Sequence, residues 1–566
     1  MSKLYTNILN KRLTLFVESN NILPIEQAGF RENFSTVDHI FTLYSMIHKQ
    51  FAKNRKLYVA FIDYSKCFDT VNKHAMFNGL ERNGIKGDML KSIKSLYTKV
   101  FACIRNNGDM SDYFECPNGL KQGCMLSPRL FTIFISEISR VLNATCTSGI
   151  QFLANFAIIH HLFFADDIIL VSDTIQGLQN KLNVLESQSN RLGLTVNLDK
   201  TKIMVFRKGG RLSKFEKWFY GQHPIEIVNK YVYLGFVFTT TMSIKSSLSA
   251  FIMKAKLSLN TILSSLNTID CHEMNIFFKL FDSKVLPILS YSSEFWGVFN
   301  IEAIERVHTL AIKRFLKVSI HSSNAIVYAE TGRVPLSINL IISSVKYWFK
   351  LLRKPDSYLN KQAYLMMLKN CENEKENWVM KIRNTLCENG FGIVWLCQNV
   401  NDENAVLRDL KIRLTDLFFQ SWNSKICSNE NYVFYHSFKS FITPELYLSS
   451  QKIDITSRIC LTRFRCGVSK LNAHRYRYYN DESLRNCPFC ENHIESEMHF
   501  IFFCPHYSNL RSKFLDKKFL ENQNLNTLAI LISNERYQIQ FSKFLKALFS
   551  LREKMIEKTK HIFIPT

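Results

Sequence analysis

The spacing of apolar positions along this chain changes near residue 242. Before that point short apolar runs alternate with helical patterns; beyond it long helical patterns dominate, as in "LSAFIMKAKLSLNTILSSL". Residues 57–63, "LYVAFID", are a continuous apolar run closed by an acid, which predicts a buried strand with Asp63 at its tip. "SKCFDTVNKHAMFNGLERNG" predicts a helix stopped at Gly84. "GLKQGCMLSPRLFTIFISEISRVL" predicts a loop with two glycines and then an apolar helix starting near Pro128. "HHLFFADDIILVSD", 160–173, predicts two short strands with Asp166 and Asp167 at the turn between them. An amphipathic helix is expected around 174–192, a strand near 195–206, and another at 231–238, "YVYLGFVF". Polar stretches at 371–376, "CENEKE", and 401–404, "NDEN", read as linkers or loops within a helical C-terminal half.

Composition adds the partner class. The 46% hydrophobic and 13% aromatic content is that of a globular chain, and 566 residues suffice for three or more domains. Lys and Arg number 72 against 48 Asp and Glu, a net charge of +24. Such an excess predicts counterion-releasing contact with a polyanion, nucleic acid being the commonest. The 15 cysteines and the lack of an apolar leader in "MSKLYTNILNKRLTLF" indicate a reducing compartment, nucleus or cytoplasm. The longest hydrophobic stretch, 150–171, carries His160, His161, Asp166 and Asp167, so no membrane span is predicted.

Asp63, Asp166 and Asp167 each end or interrupt an apolar strand. On neighbouring strands their carboxylates would converge, and hard divalent cations relieve such repulsion. Two ions about 3.5–4 Å apart form the clamp used for in-line phosphoryl transfer. Any one of these aspartates alone reads equally as a turn or cap residue, and Asp69 is read that way.

"AFIDYSKCFDTV", "GLKQGCMLSPRLF" and "FADD" stand in the order and spacing of reverse-transcriptase palm motifs, in versions that resemble those of LINE-type (non-LTR) retrotransposons. "QAGFRENFSTVDHI" at 27–40 resembles that family's fingers motif. "LGLTVNLDKTKIMVF" and "YVYLGFVF" resemble the motifs after FADD, and "VLPILSYSSEFWG" and "YAETGRVPL" its thumb and post-thumb segments. The resemblance implies a right-hand polymerase of the α/β (α+β) class: fingers and a palm with an antiparallel sheet over 1–240, and a helical thumb and post-thumb segment over 241–350. It implies an RNA-directed DNA polymerase acting on an RNA template, expected to be element RNA, with a DNA primer or target and dNTPs. Asp63 and Asp166 match the principal ligands of two Mg²⁺ ions, for which Mn²⁺ can substitute, and Asp167 matches the weaker third carboxylate. Phe68 matches a steric gate against the ribose 2′-hydroxyl, with a core aromatic as its alternative. Gln122 and Gly123 match the loop against template and nucleotide; Ser127 and Pro128 shape that loop. Lys200 matches a lysine assisting pyrophosphate departure, or is a solvated surface lysine. Arg31 matches a fingers arginine contacting template or triphosphate. Cys67 reads as a small buried hydrophobe.

Near the C-terminus, C-x2-C-x8-H-x4-C supplies Cys487, Cys490, His499 and Cys504, a donor set suited to one structural Zn²⁺ in a knuckle over 481–520. Ser496 is expected to cap a helix carrying His499, and His493 or His506 stands as an alternative ligand. The motif is similar to the one that LINE-type reverse transcriptases carry beyond the thumb. A helical connector, 351–480, precedes it and a helical tail, 521–566, follows. The connector ends in Arg458, Arg463, Arg465, Lys470, Arg475 and Arg477, interleaved with Phe464, Tyr476, Tyr478 and Tyr479. Among these, Arg463, Arg465, Arg475, Tyr476 and Arg477 are expected to bind single-stranded nucleic acid; a solvated basic face is the alternative.

The chain starts almost at the fingers motif and has no segment that reads as an endonuclease, so it is expected to be N-terminally truncated: a fragment, or a 5′-truncated copy, of a longer polyprotein. The rival reading is a catalytically inactive nucleic-acid-binding relic; a different polymerase, such as a maturase or an RNA-dependent RNA polymerase, fits the motifs less well. The sequence leaves oligomeric state open.

Overall fold

The computed structural model describes residues 2–299, 301–370, 377–490 and 493–562. The segment 371–376, read above as a linker, lies outside them. The residues before 242 build one four-stranded antiparallel sheet with helices on both faces. Its strands are β1 (Leu57–Ile62), β2 (His161–Phe164), β3 (Asp167–Ser172) and β4 (Lys202–Phe206), in the spatial order β2-β3-β1-β4. The register sets Ile62 opposite Ile168 and Tyr58 opposite Ser172 on one side of β1, and Phe61 opposite Lys202 on the other.

The continuous apolar run of β1 is explained by burial on both faces. Successive side chains point to opposite sides of a strand. Leu57, Val59 and Phe61 enter one core with Ile169, Val171, Met204 and Phe206. Tyr58, Ala60 and Ile62 enter a second with Ile168, Leu170, Ile203 and Val205. The first core is completed by helix α1 (Thr36–Ala52) through Phe41 and Ile47. The second is completed by α2 (Ser127–Thr145) and α3 (Ile175–Leu192), through residues such as Leu130, Phe134, Leu178 and Leu182. A fully buried aliphatic or Phe side chain contributes about 1.5–3 kcal/mol, so the central strand alone anchors both layers.

Three expected elements come out differently. The segment at 231–238 is a hairpin, β5 (Lys230–Tyr233) and β6 (Phe236–Thr239), because Leu234 and Gly235 both take positive φ (46° and 77°) and reverse the chain in two residues. The strand expected from 195 begins only at Lys202, since Thr201 N–H donates to the Asn197 carbonyl and curls 197–201 into a turn. The helix expected after Asp63 is broken into Cys67–Thr70 and Lys73–Arg82, the second capped by the Asn72 side chain accepting from Ala75 N–H. Gly84 follows it with φ 82°, as a stop signal requires.

Beyond residue 242 the chain is helical: α4 (Ile244–Thr268), α5 (Glu302–Phe315), α6 (Asn324–Thr331), α7 (Leu336–Arg353), α8 (Glu403–Cys427), α9 (Ile455–Arg465) and the long α10 (Glu535–Ile562), among shorter pieces. The polar "NDEN" is the start of α8, where the Asp402 carboxylate accepts from Ala405 N–H. The first sheet core runs on without a break through Phe236, Phe251, Phe295 and Trp348 to Phe464 and Phe541. A buried polar knot joins the sheet's α1 to α7: Asp38 receives Lys350, Lys354, Asn360 and the Tyr347 hydroxyl. No described helix is long and apolar enough to cross a membrane.

Candidate functional site

The three aspartates meet at one end of the sheet. Asp63 follows the last residue of β1, and the Ile62–Ile168 pairing brings it beside Asp167, the first residue of β3. Asp166 sits at the β2–β3 turn, next to Ala165 with φ 58°. The Cys67 thiol donates to Asp166 Oδ2 at 3.3 Å. Burial pushes that thiol up to about 12, and the charges of Asp166 and Asp63 add to it. Asp167 faces solvent but is crowded: desolvation, then the charges of Asp166 and Asp63, raise its carboxyl to about 6. Tyr231, stacked on Phe61 at 4.1 Å, is raised to about 12 by burial and by the Asp167 and Asp63 charges. Hard oxygen donors gathered this closely are chemistry suited to divalent cations.

The surroundings hold this cluster still. Asp63 N–H donates to Thr201 Oγ1 at 3.2 Å, and its carbonyl accepts from Asn197 N–H at 2.8 Å. That turn also carries Lys200, whose exposed Nζ lies 3.8 Å from Asp63 Oδ2. Phe68 is half-buried, stacked on Phe131 at 4.4 Å with Phe30 edge-on at 6.5 Å. Gln122 Nε2 donates to Asp69 Oδ1 at 3.0 Å, tying the glycine loop to the segment after β1. Gly123 has φ 78°, a conformation that a side chain strains, and open space where a Cβ would stand.

Two residues that sequence reasoning passed over support the aspartate turn. The buried Gln27 side chain accepts through Oε1 from Gly29 N–H at 2.8 Å and Ala165 N–H at 3.1 Å. Gly29 is pressed so close that a Cβ would lie 2.2 Å from Ala165 N. The signal was present in the string "QAGF", but only the tertiary contact shows that it serves the turn.

Arg31 requires a correction. Its guanidinium pairs with Glu18 at 2.7 Å and donates to the Pro24 and Gln27 carbonyls, leaving the side chain 8% exposed. It braces residues 18–31 and spends its charge on Glu18.

At the C-terminal end, Cys487, Cys490, His499 and Cys504 bring their ligand atoms within 4.8 Å of one another. Cys487 N–H donates to the His493 carbonyl at 2.7 Å, which closes the CxxC turn. His499 N–H donates to Ser496 Oγ at 3.2 Å, the expected cap. The buried His499 Nε2 has no hydrogen-bond partner, and the Cys487 thiol is pulled well below its usual range, first by the Cys504 thiol donating to it. An orphaned imidazole nitrogen among three thiols, one readily ionised, fits tetrahedral zinc. His493 stacks on His499 and His506 packs on Phe489; neither joins the cluster.

The basic stretch before it divides. Arg465 is buried, pairs with Glu330 and Glu445 at 2.9 Å, and donates to the Ile532 carbonyl. Its assignment to nucleic acid is therefore corrected: burial forces it to spend its donors inside. Arg458 and Phe464 are also interior, and Arg463 donates to the Lys317 carbonyl. Arg475, Tyr476, Arg477, Tyr478 and Tyr479 stay at least partly accessible.

The sequence profile of the family described as "Reverse transcriptase (RNA-dependent DNA polymerase)" matches residues 1–238. The chain is 28% identical over 241 residues to the Pol polyprotein of the type-2 retrotransposable element R2DM of Drosophila melanogaster, covering 41% of this chain and 22% of that one. It is 26% identical over 308 residues to the Pol polyprotein of the type-1 element R2 of Popillia japonica, covering 52% and 48%. The chain thus spans between about a fifth and about half the length of these curated relatives. Among solved structures it is similar to apo telomerase from Candida tropicalis, at 14% identity and a TM-score of 0.35 over 70% of this chain and 62% of the other.

Proposed function

We propose that the chain, whose residues 1–238 match the reverse transcriptase family and which is similar to the Pol polyproteins of R2 elements, polymerises dNTPs onto a DNA primer with an RNA template, element RNA in the first place. The single observation that supports this most is the meeting of Asp63, Asp166 and Asp167 at one end of the sheet. Bound to these carboxylates, two Mg²⁺ ions would supply activation of the primer 3′-hydroxyl and charge neutralisation at the leaving pyrophosphate.

The chain's own residues do the rest. The Gln27 side-chain oxygen and the β1–β3 pairing fix where Asp166 and Asp167 stand. Phe68, backed by Phe131, presents a rigid ring that discriminates against a 2′-hydroxyl. Gln122 and Gly123 border the template and nucleotide, and Lys200 brings an exposed cation beside Asp63. The helices over 241–350 serve as the thumb, and the knuckle at Cys487, Cys490, His499 and Cys504 holds one structural Zn²⁺. The protein works in nucleus and cytoplasm, where its nucleic acids are.

The test is primer extension by the full chain with Mg²⁺, an RNA template, a DNA primer and dNTPs. Synthesis is expected, and Asp166→Asn abolishes it. Equal synthesis by the variant overturns the catalytic assignment.

A further inference from the structure

Far along the chain from the aspartates, a cleft of about 830 Å³ opens between the α5–α6 connection, the C-terminal end of α8 and residues 466–478. That volume lies in the upper part of the roughly 300–1,000 Å³ span of ligand sites. Its walls carry four cations, Lys313, Lys425, Arg475 and Arg477, and no Asp or Glu among the described residues that line it. Lys313 gives its ammonium to the Ile320 carbonyl and Arg477 faces the charge of Glu497, so Lys425 and Arg475 are the cations left to attract an anion into the concavity. Lys425 and Arg475 are exposed, and neither has an ion pair among the described residues.

A second observation points the same way. Ser322 lines the cleft and is 4% exposed, yet its hydroxyl has no hydrogen-bond partner. Buried hydroxyls are ordinarily satisfied, and leaving one unpaired costs about 1–3 kcal/mol. Ser322 sits just before α6, whose cap residue Ser323 makes no capping bond and turns its hydroxyl instead to Tyr432 at 2.9 Å. The floor of the cleft therefore offers an idle hydroxyl and a helix N-terminus, both suited to a phosphate oxygen. At the rim Tyr478 is 86% exposed, an aromatic face with nothing stacked on it among the described residues. Cations and a hydroxyl for phosphates beside an open ring are the parts of a platform for single strands.

We propose that this cleft binds a single-stranded nucleic-acid segment, one phosphate on Ser322 and the α6 N-terminus, its neighbours on Lys425 and Arg475, and a base on Tyr478. RNA and DNA share this chemistry. The site is separate from the polymerase reading: it holds a strand whether or not the aspartates act on one.

The experiment measures binding of fluorescein-labelled 12-nucleotide oligo(U), oligo(dT) and a 12-base-pair duplex to the full chain without magnesium, across a salt series. Each phosphate contact on a single strand contributes a log–log salt slope of about 0.7. The Lys425→Gln/Arg475→Gln variant is therefore expected to lose a slope of about 1.4, and about 25-fold in affinity at 0.1 M salt. Tyr478→Ala weakens single strands about tenfold, and Ser322→Ala weakens them at unchanged melting temperature. Equal losses with oligo(U) and oligo(dT) mean a shared strand site; loss with only one identifies the strand. Unchanged slope and affinity in the double variant overturn the proposal, as does a loss confined to the duplex. Primer extension is scored separately, so absent synthesis with intact cleft binding fails the polymerase reading alone.

Discussion

The side-chain oxygen of Gln27 lies 3.1 Å from the backbone nitrogen of Ala165, one residue before the paired aspartates. The same oxygen takes Gly29 N–H, so one buried amide ties residues 27–29 to the turn that carries the paired aspartates. Gln27→Met keeps the volume and removes the acceptor, leaving two buried N–H groups unpaired at about 1–3 kcal/mol each. Extension turnover is expected to fall about tenfold or more, with the KM for dNTPs little changed, because Asp166 is displaced and the nucleotide pocket is not. A drop in melting temperature with unaltered turnover would show that the amide only stabilises. Gly29→Ala, whose Cβ would press 2.2 Å from Ala165 N, is expected to be worse on both measures.

The strand pattern of the sheet was legible because burial on both faces makes β1 apolar throughout and puts an acid only at its open end. The metal-type spacing of Cys487, Cys490, His499 and Cys504 was legible because ligand spacing is local. The Leu234–Gly235 reversal was missed since a two-residue turn hides inside an otherwise unbroken apolar run. Arg31 and Arg465 misled for one reason: a charge string does not say which charges find buried partners. Glu330, which shares Arg465 with Glu445, lies 135 residues from it in sequence.

Arg465 supplies a stability prediction. Glu330 accepts from Arg465, Tyr435 and Tyr447, all deeply buried, so removing the cation strands a carboxylate. Arg465→Met is expected to destabilise the chain by about 3–5 kcal/mol in chemical denaturation. Arg475→Gln, an exposed change ten residues on, is expected to shift stability by less than about 0.5 kcal/mol. Near-equal effects would contradict the burial-based division of the basic stretch.

Zinc content is checked by elemental analysis of the purified chain, with one metal per chain expected. Cys504→Ser removes a buried thiol from the cluster and should eliminate that metal. Because His499 Nε2 has no other partner, the loss should also expose residues 487–507 to faster hydrogen exchange. The sheet, which shares no ligand with the cluster, should exchange as before. Full retention of zinc by the variant would mean that His493 or His506 can complete the site.

Lys181 gives a pH dependence remote from both sites. It is fully buried on α3, its ammonium donating to the Ser148 carbonyl at 2.6 Å and to the Val171 carbonyl. Burial lowers it from 10.5 to about 8, with Cys146 and Asp173 only partly opposing. Below pH 8 the lysine is charged in both folded and unfolded chains, and the folded state bears the full cost of burying it. Between pH 8 and 10.5 the folded chain releases the proton while the unfolded chain keeps it, so this residue's contribution to stability rises with pH, by at most about 3 kcal/mol. Lys181→Met removes the titration. The difference in unfolding free energy, variant minus unaltered chain, should shrink steadily from pH 8 to 10.5, whereas the cysteines and tyrosines that titrate there cancel because both chains contain them. A difference that stays flat across this window would mean that the backbone carbonyls solvate the ammonium well enough to keep it charged.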